Sequence, residues 1–564
     1  MAGIVEQIDN LLADLFAGWN SYSTGLVAVI VLFVVWVITE SKDPDTHPLL
    51  LARQSQASYV RQPGESAVYR SPEVPYGYPL RSGLNVRAPG APIYAAGKDG
   101  DLRDIWKRVT GELPIDKDES GQPGKILTVY GKEDIDDHNI ADLSKEIAII
   151  GKHLTSNGAN RVAVYMPNSV ELLLVLFAGA FYGFTVILLP YNQSHPNLAG
   201  LLNTTGADAL VAAAGSFPLE DISRQAISLK QVIWSVEKTS RHVGWSEVPA
   251  GIGGKVDVSV LHELVKDGKA SAELPNDSTT EPGNVVFVWQ DTEGKGGEVI
   301  EFTQKNIVAA VAALGSALPP QQRFTKSDMF LPAESLTHSY PLALTLSALF
   351  TRTNVALTSV AGTGVDLGMA IRSVAPTILV ASAESAAKLH KSATTSLTDA
   401  MKKLGHYMAT RTLAAGRMPA GSLAAAVDNK DPAAASPGKL RLIFISERIG
   451  ANTPPLTSND LSDLRIFTKA RVVYALTSAK VAGAISQTNV YDYRRGIGES
   501  ENKHSHFGVP VSSVEIKMTD TATHRTSDDQ VSGEITVTGP AVAGGQVSLG
   551  VNGTFRDDNT LAYA

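Results

Sequence analysis

Residues 161–190 read RVAVYMPNSVELLLVLFAGAFYGFTVILLP. RVAVYMP (161–167) is a short, β-branched apolar run ending in proline. The stretch Ser169 to Tyr182 has the length and composition of a buried helix, and TVILLP (185–190) is a second apolar run of strand length. Strand, helix and strand at this spacing predict parallel pairing with a crossover helix. The pattern extends outward. Asp142 to Leu154 reads as a helix before it, and DALVAAA, QVIWSV and NVVFVW continue as strands after it. A second series runs from about 305 to 490 through MFLP, NVALTS, PTILVAS, LRLIFIS and ARVVYAL. Beyond 505 the character changes. VEIKMTD and GEITVTG alternate apolar and polar residues between turn residues, which predicts a small antiparallel unit. The expected class is α/β: a first α/β subdomain at 125–304, a second at 305–500 and a β-rich subdomain at 501–564. A Pro-, Gly-, Ser- and Arg-rich lead-in occupies 43–124, and the Ala-, Ser- and Gly-rich stretch at 391–438 reads as a surface insertion.

The first 42 residues stand apart as an expected membrane anchor. Gly25 to Thr39, GLVAVIVLFVVWVIT, carries no charge. It is shorter than the roughly 20 residues that span a bilayer, but the uncharged Asn20 to Ser23 extend it, and Tyr22 and Trp36 suit the interfaces. The expectation is one transmembrane helix at about 22–39. A buried core element and a cleaved signal peptide are the alternatives, although Glu6, Asp9 and Asp14 give the segment before the run the wrong charge for a signal. Lys42, Arg53, Arg61 and Arg70 all follow the run, which places the body on the cytosolic side, with the endoplasmic reticulum as the expected membrane. Ile4 to Trp19 has apolar residues at helical spacing, as in a helix lying on a membrane surface or a plain extension of the anchor. The 564 residues include 49 Lys plus Arg against 57 Asp plus Glu, with no basic stripe, which argues against a nucleic-acid partner. The absence of cysteine excludes disulfides, thiolate metal sites and thiol catalysis.

Seven segments carry a resemblance by their order. They are LTVYGKEDI (127–135) with the helix and strands that follow it, NVVFVWQDTEGKGGEVIEFTQKNI (284–307), LPAESLTHSYPL (331–342), LRLIFISERIGA (440–451), ARVVYALTSA (470–479), HFGVPVSSVEIKMTD (506–520) and VSGEITVTGPAVAGG (531–545). In this order they resemble the adenylate-forming, AMP-binding superfamily, and the lead-in with its anchor resembles fungal long-chain fatty-acyl-CoA synthetases. The resemblance implies two stacked βα subdomains with a small β-rich one. It also implies a two-step reaction in which a carboxylate attacks the α-phosphate of ATP and coenzyme A then displaces AMP, with magnesium balancing the phosphate charge.

Residue by residue, the resemblance also marks departures. At the phosphate loop, Thr292, Gly294, Gly296 and Gly297 remain as nucleotide-binding remnants, but Asp291, Glu293 and Glu298 place carboxylates where phosphates would lie. The adenine-binding Gly-Gly-Ala is Ser446-Glu447-Arg448. The Tyr-Gly-Leu-Thr-Glu motif keeps Tyr474 and Thr477 and puts Ser478 in the magnesium-ligand position. His338 matches a histidine lining the acyl or adenylate pocket, and Asp557 is a weak stand-in for the ribose aspartate. The sequence stops at Ala564, ahead of the family's lysine-bearing C-terminal domain. The expectation is a catalytically impaired, membrane-held protein of fatty-acid or acyl-CoA metabolism, with no confident catalytic residue, metal or cofactor. Its expected partners are a bilayer, a fatty acid or acyl-CoA, and an active synthetase or other membrane protein. The alternative is an active ligase using ATP, magnesium and coenzyme A.

Overall fold

The computed structural model describes residues 17–40, 43–88, 90–92, 94–113, 123–130, 134–236, 256–268, 273–275, 280–290, 297–372, 374–419, 440–451, 453–495 and 503–564. The chain divides into two units, Met1–His47 and Pro48–Ala564. Among its described residues, the first holds helix Ser21–Glu40. Asn20 caps it by accepting from the backbone N–H of Tyr22 and Ser23 at 2.9 and 3.1 Å. Its side chains are described as far as Val35, and Leu26, Val29, Leu32 and Phe33 are exposed. The expected spanning helix at 22–39 is corrected to this extent: among the described residues no helix is long and apolar enough to cross a membrane. The uncharged run itself, Gly25 to Thr39, is shorter than the roughly 20 residues a bilayer core requires.

The second unit contains three sheets. The strand–helix–strand predicted at 161–190 lies at the centre of the first. Arg161–Tyr165 and Thr185–Leu188 pair in parallel across helix Val170–Tyr182. Ser169 starts that helix by accepting from the Leu172 N–H, and Gly183 ends it at φ 84°, in the left-handed region. A Cβ at Gly183 would also lie 2.6 Å from Thr280 Cγ2, so both backbone and space require glycine. The full sheet has seven strands in the order Glu298–Phe302, Val285–Trp289, Thr185–Leu188, Arg161–Tyr165, Ala209–Ala213, Gln231–Ser235, Asp257–Val260. All neighbours are parallel except the hairpin that returns through Glu298–Phe302.

The second sheet has nine strands. Its parallel centre runs Arg471–Thr477, Leu442–Arg448, Ile378–Ser382, Met329–Pro332, Asn354–Thr358, Ile126–Tyr130. The third is a six-stranded antiparallel sheet built mainly from Glu515–Thr519, Ser532–Thr538 and Gln546–Phe555. Three sheets of these types match the α/β expectation with a small β-rich unit. Two sequence boundaries do not coincide with sheet boundaries. Ile126–Tyr130 and Asp134–His138 join the second sheet, and Gln56–Ala57 and Tyr69–Arg70, from the lead-in, join the third. Strand periodicity reports which face is buried, not which distant edge a strand docks on. The lead-in also supplies core: in helix Leu102–Thr110, Leu102, Ile105 and Trp106 are buried, and the Trp106 ring lies 4.8 Å from that of Phe177.

An ionic clasp joins the lead-in, the end of the second sheet and the last hairpin. Asp492, buried, accepts from Gln54 Nε2 at 2.9 Å and Arg494 Nε at 2.8 Å, and His506 Nε2 lies 3.2 Å away. Arg494 also bridges to Asp558 at 2.7 Å. Burial pushes the Asp492 carboxyl up, but Arg494 and His506 more than reverse this and hold it well below the usual carboxylate range. A carboxyl depressed in the folded state stabilises above its unfolded pKa, and that contribution is lost as pH falls through the folded value. Replacing Arg494 with Met leaves a buried charge without its main partner. The expected cost is about 3 kcal/mol, seen as a lower unfolding temperature at neutral pH. The gap to the unaltered protein should narrow in acid.

Candidate functional site

In sheets of this kind, ligands bind beyond the carboxyl ends of parallel strands. Here three such ends, Trp289, Arg448 and Thr477, close on one small region. Successive strand residues point to opposite faces, so Ser446 and Arg448 share a face and Glu447 takes the other. On the first face, Ser446 Oγ donates to Glu334 Oε2 at 2.6 Å, and His338 Nδ1 lies 3.0 Å from Glu334 Oε1. The Arg448 guanidinium lies over the Trp289 ring, 4.3 Å from its centroid, joining the second sheet to the first. Its Nε is buried and has no hydrogen-bond partner among the described residues. Burial lowers the Arg448 pKa, and Glu334 and Glu384 oppose that shift.

On the other face, the Tyr474 hydroxyl donates to Glu447 Oε2 at 2.5 Å and accepts from the Leu456 N–H at 3.0 Å. Thr477 Oγ1 donates to the Glu447 carbonyl at 2.9 Å. Tyr474 is fully buried, and the Phe507 ring packs 5.2 Å away. Burial pushes the Glu447 carboxyl up, Tyr474 partly offsets this and Glu384 adds to it, leaving a pKa of about 7. The space left is a cavity of about 210 Å³, lined in part by Trp289, Thr363, Ser382, Glu384, Arg448 and Thr453.

The structure brings some of the sequence-derived residues together and separates others. Tyr474, Thr477 and Ser478 meet at the strand end, all buried. His338 is partly buried, its ring 6.4 Å from that of Trp289; burial, then Arg448, lowers its pKa. Thr292, Gly294 and Gly296 lie outside the described residues. Gly297 is described: a Cβ there would lie 2.6 Å from Val288 Cγ1, so it serves hairpin packing. Glu298, on the same hairpin, pairs with Lys480 at 2.8 Å. Asp557 sits exposed in a turn, and its neighbour Asp558 makes the ionic contact. Trp289, Glu334 and Glu384 were not singled out in the sequence, although each stands at or just past the carboxyl end of a parallel strand.

Residues 115–284 match the family model described as AMP-binding enzyme. Solved structures agree over most of the chain. One is the anthranilate CoA ligase AuaEII in complex with anthranoyl-AMP: 14% identical, TM-score 0.57, covering 85% of this chain and 79% of that one. A long-chain-fatty-acid-CoA ligase from Archaeoglobus fulgidus is 14% identical, with TM-score 0.57 and 86% of each chain covered. The N-terminal domain of FACL13 from Mycobacterium tuberculosis is 13% identical, with TM-score 0.56, covering 82% of this chain and 99% of that one. The chain shares the fold of these solved structures. No curated protein sequence matches the chain.

Within this fold, the residues at these strand ends do not fit a magnesium-bound nucleotide. The cavity is smaller than the roughly 300 Å³ at which small-molecule pockets begin. A flat base would have to displace the Arg448 guanidinium from Trp289. Tyr474 offers no open ring face, and Ser478 offers a neutral hydroxyl where a hard cation prefers a carboxylate.

Glu447 gives a pH-dependent check. Its folded pKa is raised, so the folded state is penalised increasingly as pH climbs from the ordinary glutamate value to about 7. Glu447→Gln keeps an acceptor for Tyr474 without the charge. The variant should match the unaltered protein near pH 4 and be more stable near pH 8 by up to about 3 kcal/mol. Denaturant unfolding at the two pH values measures this.

Proposed function

We propose that this chain is an acyl-CoA-synthetase-like protein in which the base-binding cleft of the fold is closed, and that it acts as a membrane-held binding or regulatory subunit in fatty-acid or acyl-CoA metabolism. The observation that carries the reading is Arg448 on Trp289. Adenylation needs the nucleotide fixed in line with the attacking carboxylate, and the side chain that fills the cleft is anchored through its own strand. Glu447 at the opposite face and the neutral Ser478 support the same reading. The fatty-acid context comes from the likeness to a long-chain-fatty-acid-CoA ligase.

Membrane association is part of the proposal. The uncharged run Gly25 to Thr39 lies in helix Ser21–Glu40, whose described apolar side chains are exposed. Exposed apolar surface on this scale calls for a cover, and a bilayer supplies one. The basic residues after the helix favour the cytosolic face, and the endoplasmic reticulum is the proposed membrane.

Purified full-length protein incubated with ATP, magnesium and fatty acids of graded chain length tests the closed cleft. Pyrophosphate should not rise above the level without fatty acid. Acid-dependent release would establish a working ligase and overturn the reading.

A further inference from the structure

The stretch read as a surface insertion, 391–438, begins in helix Ala383–Thr395 and continues through helix Ala400–Ala414. Little apolar packing holds either one. The first helix buries Ala383, Ser385 and Ala386, all in its first turn, and none of the described residues from Ala387 to Thr395 is buried. The second buries Gly405, Ala409 and Leu413. A helix anchored this lightly opens locally unless polar contacts hold it.

Those contacts converge on one carboxylate of helix Ser458–Thr468. Asp463 Oδ2 lies 3.2 Å from His390 Nε2 on the first helix, and Asp463 Oδ1 lies 3.0 Å from His406 Nε2 on the second. Arg495 lies 3.7 Å from Asp463, and its Nε donates to Asn459 Oδ1 at 2.9 Å. Asp460 Oδ1 stands 3.5 Å from His390 Nδ1. Both histidine rings pack on Phe467, and each side chain is 20% exposed, so solvent protons reach both.

The two nitrogens of His390 set what this cluster does. Nε2 faces the Asp463 carboxylate and Nδ1 faces that of Asp460. A charged imidazole donates from both nitrogens. A neutral one donates from one and turns a lone pair toward the other carboxylate. His406 meets Asp463 through Nε2, where its neutral form can still donate.

We propose that His390 is a proton-operated latch for the outer half of helix Ala383–Thr395. Charged, it ties residues 389–395 to Asp460 and Asp463. Neutral, it releases them, while His406 and Arg495 keep Asp463 engaged. The charged groups that face the ring are Asp460 and Asp463, with His406 and Arg495 across Asp463. On its own helix, Lys388 donates instead to the Gly364 carbonyl at 2.5 Å. Burial pushes the His390 pKa down, but the bond to Asp463 and the charges of Asp460 and Asp463 outweigh it and leave it raised. Burial likewise pushes Asp463 up, but His390, His406 and Arg495 reverse this and hold it at about 2, so it stays charged. A histidine raised in the folded state stabilises fully below its unfolded pKa, and that contribution is lost as pH rises through the folded value. The latch is therefore closed in mild acid and opens toward alkaline pH. Ala383 and Glu384, at the inner end of the same helix, line the cavity at the strand ends. The latch thus sits on an element that walls the cleft, and it stands whether or not the cleft admits a nucleotide.

Hydrogen exchange read by mass spectrometry on the full-length protein at pH 6 and pH 9, corrected for the intrinsic rate at each pH, tests this. Protection at 389–395 should fall roughly fivefold or more between the two, the difference between a charge-assisted and a neutral hydrogen bond, while strand Arg161–Tyr165 keeps its protection. His390→Gln cannot take a charge, so it should show the lower protection already at pH 6 and no further loss at pH 9. Asp460→Asn leaves the bond to Asp463 and should move the loss to lower pH. Unchanged protection in the unaltered protein overturns the latch, as does a loss shared equally by the core strand, and neither result needs a variant. A loss at 389–395 that persists in His390→Gln assigns it to another group and also overturns the latch. A loss that does not move in Asp460→Asn overturns the two-carboxylate arrangement.

Discussion

The bond from the Tyr474 hydroxyl to the buried Glu447 carboxyl fixes the end of the strand on which the rest of the cleft depends. Strand geometry leaves no choice for the neighbours: with Glu447 held on one face, Ser446 and Arg448 must point to the other. Ser446 there satisfies Glu334, which in turn holds His338. Arg448 reaches across to Trp289 and closes the space between the two large sheets. One buried hydrogen bond thus orients two chains of contacts. The same bond makes Tyr474 part of the core.

Much of the architecture was legible because its determinants are local. The apolar runs at 161–165, 185–188, 285–289, 378–382 and 471–477 are strands as read, and the helix between the first two is capped by Ser169 and stops at Gly183. The misassigned pieces are those whose place depends on distant partners. Gln56–Ala57 and Tyr69–Arg70 are too short to show a period, and they owe their state to Glu515–Thr519. At the site, the sequence showed that 446–448 carry bulk and charge where small residues were expected. It could not show that Arg448 meets Trp289, because nothing local couples the two strand ends. The Asp463 hub was invisible for the same reason: His390 and His406 are ordinary helix residues until a third helix brings a carboxylate between them.

The two proposals describe one molecule held differently in two places. The strand ends are densely bonded, with hydrogen-bonded polar groups beside a stacked cation and a small cavity between them. The helices at 383–414 have few buried side chains and depend on the Asp463 hub. Retaining the fold requires no catalytic residue, because its stability comes from the sheets and from clasps such as Asp492–Arg494–Asp558.

The central claim is that Arg448 occupies the place of a nucleotide base. AMP needs no magnesium, so titrating AMP into the full-length protein and into Arg448→Gly by calorimetry isolates the cleft from the altered metal position. The account predicts no saturable heat for the unaltered protein and measurable binding once the guanidinium is gone. Saturable AMP binding by the unaltered protein would contradict it.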